Sequence, residues 1–181
     1  MKAGFKTIIF SALGALAVFT TITYTSCKRD KCKDITCANS STCAEGACYC
    51  ATGFEGTQCE KLIRAKFTGP WMVFESGTES LAAQYPIAIE IGEQINTVKI
   101  RNFNNTFPEP FRIEAYVSGD TLYIPRQPVN GRTVEGRGYF VPSIYYQEHG
   151  YMEVHYYVAN DTTGRVNDYG WDRGKVSKWV K

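Results

Sequence analysis

Phe111-Arg112-Ile113-Glu114-Ala115-Tyr116-Val117-Ser118-Gly119-Asp120-Thr121-Leu122-Tyr123-Ile124 decides the fold class of most of this chain. Phe111, Ile113, Ala115 and Val117 alternate with Arg112, Glu114 and Tyr116, a period of two that sends one set inward and the other to solvent. Ser118-Gly119-Asp120 then links this run tightly to a second one. Two alternating runs joined by so short a link form an antiparallel pair.

The same pattern extends in both directions. Tyr85, Ile87, Ile89 and Ile91 alternate with Pro86, Ala88 and Glu90; Val98 and Ile100 with Lys99 and Arg101; Met152, Val154, Tyr156 and Val158 with Glu153, His155 and Tyr157. Asn130-Gly131 favours a type I′ hairpin. Residues 104–110 and 160–164 read as polar loops. The runs predict eight strands near 70–76, 84–92, 96–103, 111–118, 121–127, 132–141, 150–159 and 174–180. Residues 80–84 offer the single trace of helical periodicity. Eight antiparallel strands with short links suit a small up-and-down barrel, which leaves no exposed edge; a β-sandwich is the alternative. Gly136-Arg137-Gly138 fits a barrel bend, because a phosphate loop would need a following helix. The large inward residues, among them Tyr85, Ile87, Phe111, Met152 and Tyr156, predict a mostly filled lumen.

Phe67-Thr68-Gly69-Pro70-Trp71 contains the G-x-W triplet that opens lipocalin-like barrels, at the start of the first run. The stretch 121–127, with Gly131 and Gly136-Arg137-Gly138, resembles small β-domains of Bacteroidetes lipoproteins. The resemblance covers residues 67–181 and implies a lipocalin-like barrel.

All seven cysteines of the 181-residue chain lie between Cys27 and Cys59. A stretch of about thirty residues cannot build a sufficient core and needs covalent staples. Cys32, Cys37, Cys43, Cys48, Cys50 and Cys59 admit fifteen pairings by arithmetic. Their gaps, and the ending Cys50-Ala51-Thr52-Gly53-Phe54-Glu55-Gly56-Thr57-Gln58-Cys59, resemble EGF-like modules. That resemblance covers residues 32–59 and implies the pairs Cys32–Cys43, Cys37–Cys48 and Cys50–Cys59. A zinc site is the competing reading of clustered cysteines, disfavoured by an export signal and by the lack of a nearby histidine. Calcium-binding modules of this kind carry an acidic cluster before the first cysteine. Arg29-Asp30-Lys31 sets one acid between two bases, so no calcium is expected.

Ahead of the module, Lys2 and Lys6 precede an uncharged segment, residues 7–26, apolar from Ile8 to Phe19. This is the order of a secretory signal. A retained membrane helix is the alternative, but Thr20, Thr21, Thr23, Thr25 and Ser26 weaken its last third. Cys27 is the odd cysteine, directly after this segment. Tyr24-Thr25-Ser26-Cys27 resembles the lipobox of bacterial lipoproteins, with Tyr24 where an aliphatic residue is usual. The resemblance implies cleavage before Cys27, its lipidation, and an outer-membrane lipoprotein facing the periplasm or the cell surface. Several acyl chains on one residue would anchor stably. The expected organisation is a signal peptide (1–26), a lipidated tether (27–31), an EGF-like module (32–59), a linker (60–66) and a barrel-like domain (67–181).

Without Lys2 and Lys6, 18 basic residues face 18 acidic ones, and no basic field remains to attract nucleic acid. No G-x-S-x-G elbow, HExxH or phosphate loop occurs. His149 reads as a loop residue and His155 as an exposed strand residue, so no catalytic residues and no cofactor are expected. Aromatic residues crowd the last third. Tyr145, Tyr146, Tyr151 and Trp171 mark an expected binding face on the loop 142–151, with 161–171 as its neighbour; pairing across strands is the plainer role for these rings. Three functions follow. The first is an anchored interaction protein recognising a protein or glycan, with the EGF-like module as spacer or protein-binding unit. The others are a small-ligand carrier using the lumen and a hydrolase with an unrecognised site.

Overall fold

The computed structural model describes residues 31–144 and 150–181. Four short strands belong to the disulfide-rich segment: β1 (Thr42–Ala44) pairs with β2 (Ala47–Tyr49), and β3 (Phe54–Glu55) with β4 (Lys61–Leu62). Pairs this short enclose little, and Cys59 is the segment's one fully covered hydrophobic residue. Cohesion comes instead from disulfides Cys32–Cys43, Cys37–Cys48 and Cys50–Cys59. Each closes a short loop and stabilises by about 2–3 kcal/mol in the chain-entropy account. Gly53 and Gly56 adopt φ of 89° and 103°, angles that side chains resist.

The remaining strands are β5 (Gly69–Glu75), β6 (Ala83–Ile91), β7 (Thr97–Arg101), β8 (Ile113–Ser118), β9 (Thr121–Val129), β10 (Arg132–Pro142), β11 (Gly150–Asn160), β12 (Val166–Tyr169) and β13 (Ser177–Val180). Each strand from β5 to β11 pairs with the next, all antiparallel. Closure comes from β13, which lies between β11 and β5. The result is a closed antiparallel barrel of eight staves, which excludes the sandwich. No α-helix occurs among the described residues.

The eighth stave departs from the expected run 174–180. It is split: β12 and β13 lie in tandem along β11, and residues 170–176 leave the wall between them. Gly170 and Gly174, at φ of 82° and 79°, let the chain leave and return. Asp168 steadies the exit by accepting the N–H groups of Trp171 and Asp172. Four residues, two of them polar, were too few to show as alternation. The run at 96–103 also ends early. After Arg101 the chain turns through Asn102, Asn104 and Asn105, all at positive φ, a conformation asparagine tolerates better than most residues. Ile91, expected inward, is 62% exposed at the end of β6.

The lumen is filled. Trp71, Val73, Ile89, Ile100, Ile113, Leu122, Met152, Val154 and Trp179 are buried in one cluster. Gly136 stands opposite Tyr156, where a methyl group would come within 2.5 Å of the Tyr156 Cβ and 2.8 Å of the His155 carbonyl. Glycine here makes room for the tyrosine ring inside the barrel.

Residues 60–66, expected as a linker, are folded. After β4 a 3-10 turn (Ile63–Lys66) buries Ile63 against the barrel core, and Phe67 follows it inward. Trp71 Nε1 donates to the Phe67 carbonyl at 2.6 Å. The Lys66 ammonium, its side chain mostly covered, bridges Glu55 of the disulfide-rich segment (2.9 Å) and Asp120 of the β8–β9 turn (2.6 Å). Gly53 lies against Ile95, too close for a side chain. One end of the barrel is thus plugged and joined to the disulfide-rich module.

Gly136→Ala should lower the melting temperature of the barrel, costing about 1–3 kcal/mol through overpacking against Tyr156. Gly131→Ala, in open space but at φ of 70°, should lower it through backbone strain alone. Thermal melts of the two variants check this, and Gly136→Ala matching the parent would refute the close approach.

Candidate functional site

The end of the barrel opposite the module is open and polar. Here β5 ends, the Asn102–Asn105 corner lies, β10 begins and β11 ends. A cavity of about 480 Å³ opens to solvent between these elements, within the range of small-ligand pockets.

Its floor is built on one buried carboxylate. Glu75 closes β5 facing inward, where period-two alternation from Trp71 and Val73 places it. Its Oε1 accepts from the Tyr85 hydroxyl and from Asn104 Nδ2 at 3.0 Å. Its Oε2 accepts from the hydroxyls of Tyr156 and Ser177, each at 2.7 Å. Four donors fill the roughly four lone-pair positions of a carboxylate. The donors are themselves held. Asn104 Nδ2 also donates to Tyr156 Oη at 2.8 Å, and Trp179 Nε1 donates to Ser177 Oγ at 2.9 Å. Among the described residues no ion pair reaches Glu75 and no buried side-chain polar atom lacks a partner.

Tyr169 forms the inner wall. Its ring stacks on that of Tyr156, centroids 4.5 Å apart. Its hydroxyl accepts from Asn167 Nδ2 at 2.7 Å and shares a hydrogen with Ser80 Oγ at 3.1 Å. Burial, more than any other influence, raises the Tyr85, Tyr156 and Tyr169 hydroxyls above the ordinary tyrosine range; the nearby Glu75 charge adds to it. At the rim, Arg165 Nε pairs with Glu79 at 3.0 Å, and the Glu79 N–H donates to Asn167 Oδ1 at 2.9 Å. Arg132, the first residue of β10, lines the cavity half-buried.

The residues singled out from sequence are dispersed. Cys27, Tyr145 and Tyr146 lie outside the described residues, as does His149. Tyr151 is at the plugged end, with Lys178 Nζ 4.4 Å from its ring centroid. Trp171 lies on the outer wall, edge-on to Tyr157 at 6.1 Å, with the Arg137 guanidinium 5.0 Å from its ring. The described ends of the stretch 142–151, expected as a neighbour of 161–171, lie at the plugged end, whereas 161–171 runs from the open end onto the wall. Strand direction alone separates them, since β11 carries the chain the full height of the barrel. His155 is half-buried on that wall, with Nδ1 2.8 Å from the Gly170 carbonyl, where full exposure was expected. A second hollow, of about 840 Å³, lies at the plugged end beside Lys66, Asp120 and Pro142. Glu75, Asn104 and Ser177 escaped sequence reading; a lone acid continuing the inward set of a strand was the one available signal. Among the described residues no group of three or more His, Cys, Asp or Glu could hold a metal ion.

No family model, curated protein or solved structure matches the chain.

Glu75→Gln puts an amide N–H₂ where two hydroxyls donate, and should cost about 1–3 kcal/mol in denaturant unfolding; Glu79→Gln at the rim should cost under about 0.5 kcal/mol. Equal effects would mean that the buried network carries no special share of stability. The three buried tyrosines also set an alkaline limit. Their hydroxyls hold protons more tightly folded than unfolded, so their contribution is intact below about pH 10 and is lost as pH rises above it. Ultraviolet titration should show these tyrosines ionising together with unfolding, apart from the exposed ones.

Proposed function

We propose that this chain is a lipid-anchored binding protein of the bacterial cell envelope. Its EGF-like module is a short rigid spacer, and its barrel recognises a small polar ligand at the mouth remote from the anchor. The observation that carries this reading is the open cavity over a fully satisfied Glu75, at the opposite end from the module. A filled lumen leaves no room for capture deep inside, which favours recognition at a rim. Lys66, bridging the module and the β8–β9 turn, supports a fixed attachment rather than a loose one. The cysteine parity that sets Cys27 apart supports the anchor, and several acyl chains on one residue suffice for stable attachment.

Binding without turnover follows from the same chemistry. A general base needs a free lone pair near its substrate, and both Glu75 oxygens are committed. His155 faces the outer wall, away from the cavity. A protein or glycan partner on the aromatic outer wall, around Trp171 and Tyr139, is the second reading; a shallow hollow between Arg137, Tyr139, His155, Trp171 and Asp172 favours it.

Two measurements test the proposal. Cys27→Ser should move the protein from the membrane to the soluble fraction, and a mature N-terminus other than residue 27 refutes the anchor. For the ligand, the soluble Cys27→Ser chain is titrated with hexoses and the corresponding hexuronates by heteronuclear NMR. Saturable shifts confined to Tyr169, Asn167 and their neighbours are expected, weakened about tenfold or more by Asn167→Leu. Shifts centred on Trp171 instead would favour the outer wall.

A further inference from the structure

The hydrogen-bonding capacity of the cavity is lopsided. Its acceptors are largely spent inside the protein. Both Glu75 oxygens are filled, Asn104 Oδ1 accepts from the Thr106 hydroxyl, and Asn167 Oδ1 accepts from the Glu79 N–H. Asn160 Oδ1 accepts the N–H groups of Thr162 and Thr163, and Glu79 is taken by Arg165. Donors remain. The Asn160 Nδ2 and the Arg132 guanidinium have no hydrogen-bond partner among the described residues, and the exposed Asn105 amide adds one donor group and one acceptor.

Formal charge in the lining is balanced but unevenly placed, with the Glu75 charge buried in the floor. The lining holds two acids and two arginines. Glu79 and Arg165 neutralise each other, and four neutral donors satisfy Glu75. Arg132, half-buried at the start of β10 and near enough to Tyr169 to bias its hydroxyl, is the one charged side chain of the lining with no hydrogen bond or ion pair among the described residues. A planar guanidinium with five donors is shaped for two-point contact with a carboxylate. One guanidinium, with the Glu75 charge in the floor beneath, suits a monoanion better than a dianionic phosphate. The amides and hydroxyls around it suit a ligand rich in hydroxyl oxygens.

We infer that the mouth cavity selects a hydroxylated monocarboxylate, a sugar acid, with Arg132 gripping its carboxylate. The inference rests on the reading of the mouth as the ligand site and adds to it the charge and class of the ligand.

The test uses the soluble Cys27→Ser chain with hexuronates, their neutral hexoses and inorganic phosphate, at low and high salt. Hexuronates should bind about tenfold or more tightly than hexoses, and salt should narrow the gap. Arg132→Gln should bring hexuronates to the hexose level with an unchanged melting temperature, and Arg132→Lys should keep part of the preference. Should Arg132→Gln destabilise the fold, the lysine variant and the salt dependence carry the test. Equal binding of hexoses and hexuronates at the mouth overturns the charge selectivity and leaves the mouth site standing. An undiminished preference in Arg132→Gln overturns the role of Arg132. Phosphate competing as well as a hexuronate overturns the carboxylate assignment. No binding of any sugar at the mouth overturns both this inference and the site itself.

Discussion

The barrel depends on one buried carboxylate and the four donors that make its burial tolerable. Removing a carboxylate from water costs several kcal/mol, and an unsatisfied one would be incompatible with the fold. Glu75 therefore imposes a condition on every neighbour. Tyr85 must reach in from β6, Asn104 from the left-handed corner after β7, Tyr156 from β11 and Ser177 from β13. These elements meet at the seam where the barrel closes. The ladder between β13 and β5 has only three paired positions, Phe74, Val73 and Met72 with Lys178, Trp179 and Val180. The carboxylate adds a side-chain bond across the same seam.

Much of the architecture was legible because a half-buried wall writes its geometry as alternation. The inward sets around Ile87, Ile113 and Val154, with turns at Ser118-Gly119-Asp120 and Asn130-Gly131, gave antiparallel neighbours and left a barrel or a sandwich, between which closure through β13 decides. What failed to show was local structure without periodicity. Val166-Asn167-Asp168-Tyr169 is a strand because Asp168 and Asn167 are tied by hydrogen bonds to Thr78 and Glu79, partners almost ninety positions away. Asn104 and Asn105 fell in the loop read at 104–110 and Asn102 in the strand before it, and neither reading showed the left-handed corner that turns one amide inward. The cysteine pairing came from resemblance alone, since arithmetic leaves fifteen choices.

The site was less legible than the fold, for a physical reason. Aromatic residues draw the eye, yet in a barrel most of them are wall material: Tyr156 and Tyr169 stack inside, Tyr116 and Tyr123 stack outside, and Trp171 covers β11. The chemically distinctive residues are common polar ones whose meaning is positional. Glu75 closes a strand facing inward while Glu79 lies in the turn beyond it, and Arg132 and Arg137 sit on opposite faces of β10. The two ends of the barrel are therefore unlike. One is apolar, plugged by Ile63 and Phe67 and joined to the module; the other is hydrophilic and unobstructed.

The seam also fixes an order of events. Ser177 Oγ and the Glu75 carboxylate are 102 positions apart, and both strands flanking the closure come from opposite ends of the domain. A chain that emerges N-terminus first holds its β5 edge unpaired, and the Glu75 carboxylate incompletely coordinated, until β13 has appeared. Long-range pairings of this kind are slow to form. The interval in which the first strand waits for the last is therefore the stage at which the nascent domain is most exposed to pairing with a neighbour's edge.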